Sequence, residues 1–348
     1  MNDKVFITGA GGFLGGWFAE ALHLQGRHKV LAGLNSWSSA ARIARFPIDF
    51  VQANLLDPRS IDRALEGVDA VIHCAFLEDN TLSAQATRNL FEAARKQGVR
   101  KLVHISSIAV YGDAEGRVDE ETAPVAPITT YGLGKQQTES VAREFAGPNL
   151  IVSVIRPTII YGPFSTSWTL PVVNRIRSGK WRNLGSRGAG KANLVYAGDV
   201  VRLAEFLLDR QTEAYAVYNC NGPEIPTWNE YYDRMSEAMG LGRQPPERSN
   251  VGLQVLLRRP IRAAGKYVLK HHRSLLTAMS ARSHLLIDTL RKVEEDLRLK
   301  PNDSEMALFG RDATYSIDKI RRLGFAPQTG LDRGIAYSIE WAKAVGLL

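Results

Sequence analysis

Only two cysteines, Cys74 and Cys220, occur in 348 residues. Two are too few for a disulfide framework of the kind that holds small secreted domains together. No run of eighteen apolar residues is present, so no membrane-spanning helix is expected. The opening Met1-Asn2-Asp3-Lys4 leads into a strand-like segment without the basic stretch, apolar run and small-residue cleavage site of a secretory signal. Cytoplasmic location is therefore the expectation. Zinc-ligand spacing and aromatic-interleaved basic motifs are also lacking, so neither a metal nor a nucleic-acid partner is expected.

What is present is ample apolar material, 45% of the chain, and a formal net charge of +8. The charge is concentrated. Residues 243–300 hold thirteen Lys/Arg against five Asp/Glu, an excess equal to that of the whole chain. Such a stretch attracts phosphates, nucleic acid or acidic lipid, or serves as the solvated face of exposed helices. Its apolar spacing, as in Leu290, Val293 and Leu297, reads as helical.

The first 160 residues alternate strand and helix patterns. Strand-like runs fall at Lys4–Thr8, Lys29–Leu34, Asp49–Gln52, Ala70–His73, Lys101–Ser106 and Ile151–Ile155. Helical patterns fall at Phe13–Gln25, 80–97 and Thr130–Phe145. This rhythm predicts an α/β fold, a Rossmann-type doubly wound parallel sheet. Residues 1–160, joined later by segments near 194–220, should form the dinucleotide-binding domain. Residues 161–348 should form mainly a smaller C-terminal α/β substrate lobe, with a basic helical insertion at 243–300.

Thr8-Gly9-Ala10-Gly11-Gly12-Phe13-Leu14-Gly15 follows a strand and opens a helix. That context suits a dinucleotide, because glycines let the backbone approach a pyrophosphate and a helix N-terminus offers it free N–H groups. Gly9, Gly12, Phe13, Leu14 and Gly15 are thus candidate cofactor contacts. An acidic residue ending the second strand usually binds the ribose hydroxyls of NAD. Here that strand ends in Leu34-Asn35-Ser36-Trp37-Ser38, with Arg42 and Arg45 following. Asn35, Ser36 and Arg42 suit a 2′-phosphate, so NADP is favoured over NAD.

Tyr131 and Lys135 stand at i and i+4 and share a helix face. A nearby ammonium favours the phenolate, which would let a tyrosine exchange protons near neutral pH. Upstream, Val103-His104-Ile105-Ser106-Ser107 reads as a strand whose active-site end carries two hydroxyls.

Together these segments resemble the extended short-chain dehydrogenase/reductase superfamily, the NAD-dependent epimerase/dehydratase family. The resemblance also runs through Asn54-Leu55-Leu56-Asp57, Arg156-Pro157, Tyr161-Gly162-Pro163 and Leu194-Val195-Tyr196-Ala197-Gly198-Asp199. It implies that Ser107 holds the substrate oxygen, Tyr131 transfers the proton, and Lys135 binds the nicotinamide ribose and lowers the phenol pKa. It implies that Asn54 and Leu55 lie near the adenine, and that Ala75, Phe76 and Pro157 border the cofactor. Tyr161 and Lys191 are candidate substrate contacts. His73 and Cys74 are expected to be packing residues.

Dehydratases of this branch carry Thr-Asp-Glu where this chain has Ser107-Ile108-Ala109. Without that acid pair, sugar 4,6-dehydration is not expected. Lys191 stands in the segment where sugar-nucleotide enzymes often place an arginine, and it lacks the bidentate fork. The expected activity is oxidoreduction or epimerisation at a secondary alcohol or ketone of a sugar or sugar nucleotide. The alternative is an NADPH-dependent ketone reductase similar to hydroxysteroid or dihydroflavonol enzymes. A non-catalytic dinucleotide sensor is disfavoured by the intact Ser107, Tyr131 and Lys135. A small-molecule substrate and a homodimer, formed through helices 80–97 and 130–145 as in relatives, complete the expectation.

Overall fold

The computed structural model describes residues 3–123, 129–179, 181–246 and 299–348. Its strands, in chain order, are β1 (Lys4–Thr8), β2 (Lys29–Leu34), β3 (Asp49–Gln52), β4 (Ala70–His73), β5 (Lys101–Ile105), β6 (Gly116–Val118), β7 (Ile151–Pro157), β8 (Ile159–Tyr161), β9 (Leu194–Tyr196), β10 (Tyr215–Cys220) and β11 (Ala313–Tyr315). The helices are α1 (Phe13–Gln25), α2 (Pro58–Ala64), α3 (Asn80–Lys96), α4 (Thr130–Phe145), α5 (Leu170–Arg177), α6 (Ala197–Leu208), α7 (Trp228–Ala238), α8 (Asp303–Phe309), α9 (Asp318–Arg322) and α10 (Leu331–Ala344).

Seven strands form one parallel sheet in the order β10-β7-β5-β4-β1-β2-β3. Central strands read as apolar runs because helices cover both faces. Alternate residues serve opposite faces. Val5 and Ile7 join Phe18 and Leu22 of α1 and Leu203 of α6, while Phe6 joins Leu90 and Phe91 of α3 and Val141 of α4. The order reverses at β1, which pairs with β2 on one side and β4 on the other. A ligand crevice opens at the carboxyl ends of strands at such a reversal.

The seventh strand, β10, was not legible as one. Tyr215, Tyr218 and Asn219 dilute its apolar run, yet it pairs with β7 from Val152 to Pro157. That register carries β7 two residues past its predicted end. After β7, two small parallel pairs, β8 with β9 and β6 with β11, depart from the main sheet. A separate aromatic core gathers there, with Trp228, Tyr231, Tyr232 and Phe309 buried and Trp181 stacked on Tyr232 at 3.5 Å between centroids. The helical reading of 247–298 lies outside the described residues.

Helix α4 positions the chemistry. The Thr129 hydroxyl caps it by accepting from the Gly132 amide at 3.1 Å. A Cβ on Gly134 would fall 2.3 Å from Asn80 Oδ1 and 2.9 Å from Phe76 Cζ. Glycine there lets the loop after β4 lie directly on the first turns of α4.

Candidate active site

The glycine turn has little freedom to accept side chains. Gly9 adopts φ +65°, and its carbonyl accepts from the Gly12 amide at 2.9 Å. A Cβ on Gly15 would lie 2.1 Å from that same carbonyl oxygen, and one on Gly11 would lie 2.3 Å from Ser39 O. Helix α1 then follows Gly12 with no side-chain cap and no acid in its first turn. Uncapped N–H groups at the end of a turn whose backbone is packed too closely for side chains at Gly11 and Gly15 fit a dinucleotide pyrophosphate.

Thr8 ties this turn to the loop after β4. Its hydroxyl accepts from the Cys74 and Ala75 amides, both at 3.1 Å, and lies 2.7 Å from His73 Nδ1. With its lone pairs taken, the hydroxyl donates to Nδ1. His73 Nε2 then carries the proton and donates to Thr87 Oγ1 at 3.2 Å, while Thr87 donates to the Ser83 carbonyl at 2.8 Å. Burial, helped by the Lys135 charge, pushes His73 down to about 3, so the ring is neutral. His104 on β5 is likewise pushed down, by burial first and by His73 and Lys135 after it. Burial pushes the Cys74 thiol up. These groups pack and tether, as expected of His73 and Cys74.

Tyr131, Lys135 and Ser107 come together at the carboxyl end of β5. Part of the Tyr131 side chain is exposed, while its phenol end is enclosed by protein. Ser107 accepts from the Ala109 amide at 3.1 Å, which fixes its hydroxyl at the start of a 3-10 turn. Lys135 is buried, and its Nζ donates to the Ile105 carbonyl at 2.8 Å. Burial pulls that ammonium down to about 8, against the pull of Cys74 and Glu139. The phenol of Tyr131 is raised by burial and eased by a hydrogen bond with Ser107. Lys135 is not what eases it. Its Nζ is 5.8 Å from the Tyr131 ring centroid and 4.5 Å from that of Phe76, whose ring meets Tyr131 edge-on at 5.2 Å.

Sequence reasoning missed Glu139, one turn beyond Lys135. It accepts from Ser106 Oγ, and Arg156 clasps it with Nε at 2.9 Å and Nη2 at 2.6 Å. The i+4 spacing from Lys135 was the available signal.

The remaining candidates scatter. Ala75 abuts Gly9, and a Cβ there would lie 3.1 Å from its backbone. Ser36 and Ser38 hydroxyls lie 3.0 Å apart, and Asn35 is exposed. Arg42 differs from its expected role: it clasps Glu20 at 3.0 and 3.1 Å, donates to the Phe13 carbonyl at 2.8 Å, and stacks on Phe164 at 3.9 Å. Arg45 also reaches Glu20, at 3.1 Å. Asn54 turns its Oδ1 onto the Leu56 amide, and the Leu55 carbonyl accepts from Asn89. Pro157 ends β7, buried. Tyr161, read as a substrate contact, is instead a core residue at 2% exposure between Tyr196 and Tyr231. Lys191 is half-exposed and pairs with Asp312 at 2.7 Å.

Comparison with known proteins adds to this geometry. The profile of the NAD dependent epimerase/dehydratase family matches residues 5–220. The N-acetyl-alpha-D-glucosaminyl-diphospho-ditrans,octacis-undecaprenol 4-epimerase of Escherichia coli O157:H7 is 30% identical over 232 residues, 63% of this chain and 67% of that protein. A 4-hydroxy-2-methyl-3-oxo-4-farnesyl-3,4-dihydroquinoline-1-oxide ketoreductase of Stigmatella aurantiaca is 26% identical over 190 residues, 51% of this chain and 57% of that one. Among solved structures, MoeE5 in complex with UDP-glucose and NAD shares the fold, with a TM-score of 0.70 at 22% identity over 98% of this chain and 99% of that one.

Proposed function

The chain belongs to the NAD dependent epimerase/dehydratase family, and we propose that it oxidises, and in an epimerase re-reduces, a secondary alcohol on a diphosphate-linked sugar, with Tyr131 carrying the proton. The observation that supports this most is the convergence of Ser107, Tyr131 and Lys135 beside the cradle of Gly9, Gly12 and Gly15. Phe13 and Leu14 open the helix over that cradle, and Ala75 and Phe76 border it. The nicotinamide group, when bound, supplies the hydride acceptor or donor.

In this reading Ser107 donates to the substrate oxygen and holds its carbon beside the cradle. Tyr131, ionised when the positive ring of an oxidised nicotinamide is bound beside it, would take the hydroxyl proton as the C–H bond breaks and return it when the ketone is reduced. Lys135 holds the nicotinamide ribose. With Ile108 and Ala109 following Ser107, no carboxyl stands there to expel water, so the reaction ends at oxidoreduction.

For the cofactor, the loop after β2 supports tolerance rather than the NADP preference expected from sequence. No carboxylate ends that strand to repel a 2′-phosphate, and Arg42 and Arg45 both rest on Glu20. Ser36 and Ser38 offer neutral hydroxyls to either dinucleotide.

The undecaprenol-linked substrate in the name of the Escherichia coli relative supports a diphosphate-linked sugar. The sequence excess of positive charge at 243–300 supports attraction to that diphosphate or to the acidic bilayer bearing such a lipid. A second reading, net reduction of a free ketone with cofactor exchange at each turnover, is favoured by the likeness to the Stigmatella ketoreductase. Chromatography of dinucleotide released on denaturing the purified protein separates them. A retained, stoichiometric cofactor supports epimerisation; an empty protein that converts ketone and NAD(P)H to alcohol supports the reductase.

A further inference from the structure

Helix α4 presents three residues, each one turn apart, to three consecutive residues at the end of β5. Ser107 eases the Tyr131 phenol, Lys135 Nζ donates to the Ile105 carbonyl at 2.8 Å, and Glu139 accepts from the Ser106 hydroxyl. The proton-transfer pair thus has a third, buried member on its own face. Ser106 is further pinned by its amide, which donates to the Ile155 carbonyl of β7 at 2.8 Å. Arg156, from that same strand, grips both carboxylate oxygens of Glu139 at 2.9 and 2.6 Å. Its guanidinium also lies 4.7 Å from the Tyr111 ring centroid, and Tyr111 donates to Asn219 Oδ1 at 2.7 Å. Both members of the ion pair are under 10% exposed.

We propose that Glu139 is a positioning residue: held by Arg156, it fixes the Ser106-Ser107 strand end against α4 and, one turn beyond Lys135 on the same buried helix face, sets the pH range over which that side chain holds the cofactor. This rests on the reading above that Lys135 holds the cofactor ribose.

A buried ion pair is by itself poor grounds for a functional role, because a hydrophobic replacement of similar volume is often as stable. Here the surroundings give the charge a second task. The ionisable groups around Lys135 other than Glu139 are Cys74 at the end of β4, His73 and His104 on β4 and β5, and Tyr131. Burial pushes up the Cys74 thiol and the Tyr131 phenol, and both histidines are held neutral. Before a cofactor binds, none of these is an anion at neutral pH, so Glu139 is the formal negative charge among them. Arg156 and the Tyr215 phenol, raised by burial and by Glu139, face the carboxylate from β7 and β10. Burial drives Lys135 toward neutrality, and it stands at about 8 with Cys74 and then Glu139 opposing that drift; Cys74 opposes it only as a thiolate, a form its own burial disfavours at neutral pH.

The test measures NADH affinity of the full chain against pH, in a Tyr131→Phe background so that the phenol does not titrate. The parent should lose affinity as pH rises through about 8. Adding Glu139→Gln, which keeps the shape and removes the charge, should move that loss to lower pH by on the order of one unit. Adding Glu139→Asp should largely restore the parent profile. If Glu139→Gln does not fold because Arg156 is left unpaired, Glu139→Gln with Arg156→Met removes both charges and should shift the profile the same way. Coincident profiles in the folded variant overturn the proposal. Lys135→Met in the same background separates the two levels. If it leaves affinity and profile unchanged, the assignment of Lys135 fails; if it abolishes the alkaline loss while Glu139→Gln shifts nothing, only the role of Glu139 fails.

Discussion

The Thr8 hydroxyl lies 2.7 Å from His73 Nδ1 and accepts from two successive amides, Cys74 and Ala75. One buried side chain thereby joins the end of β1 to the end of β4, at the point where the sheet order reverses. Thr8→Val keeps the shape and leaves all three partners unsatisfied. It should destabilise the fold by about 1–3 kcal/mol, with Thr8→Ser recovering most of the loss. Urea unfolding of the three proteins checks this, and a neutral Thr8→Val would contradict the tether.

Tyr131→Phe should reduce turnover by roughly 10²–10⁴-fold, the usual contribution of positioned acid–base catalysis. Melting temperature and dinucleotide affinity should change little, because the ring's edge contact with Phe76 remains. Full activity in this variant would remove Tyr131 from the mechanism.

Gly15→Ala places a methyl 2.1 Å from the Gly9 carbonyl oxygen, backbone against backbone. The turn must open, so dinucleotide affinity should fall by at least about tenfold, equivalent to 1.4 kcal/mol. Gly26→Ala is a stability control: it meets no atom within 4 Å, and φ +67° confines its cost to local strain. Titration of both variants with NADH tests the difference.

Lys135 gives stability a pH signature. Its folded pKa, about 8, lies below its ordinary value of 10.5. Between those values the unfolded chain binds more protons than the folded one, so this residue's contribution to stability increases as pH rises from 8 to 10.5. Wild type should therefore gain on Lys135→Met across that window, by roughly 3 kcal/mol at its upper end. Parallel stability curves would show that the ammonium is not held in a desolvated site.

Much of this was legible because it is written in periodicity and local chemistry. Six of the sheet strands announce themselves as short apolar runs, and the glycine turn sits between strand and helix where its backbone is needed. Tyr131 and Lys135 share a face by spacing alone. Pairings across long sequence separations were not legible. Arg42 reads as a phosphate ligand until Glu20, twenty-two residues earlier, is seen to occupy it. Tyr161 reads as a site residue until the aromatic core encloses it. Glu139 looks like a surface acid until Arg156 and Ser106 are brought to it by β7 and β5.

Neutral hydroxyls at Ser36 and Ser38, with both nearby arginines on Glu20, predict weak cofactor discrimination. NAD and NADP dissociation constants should differ by less than about tenfold. Glu20→Gln frees the guanidiniums and should shift the ratio toward NADP. Calorimetric titration with both dinucleotides checks each outcome, and strong selectivity in the wild type would contradict this reading of the loop.

The glycine cradle and the Tyr131–Lys135 face together should form one nicotinamide redox site. The most direct measurement is to denature the purified full chain, chromatograph any released dinucleotide, and titrate the stripped, refolded protein with NADH and NADPH. The expected result is a nicotinamide dinucleotide released near one per chain, or saturable binding that Lys135→Met weakens. Protein that releases none and binds neither dinucleotide would contradict it.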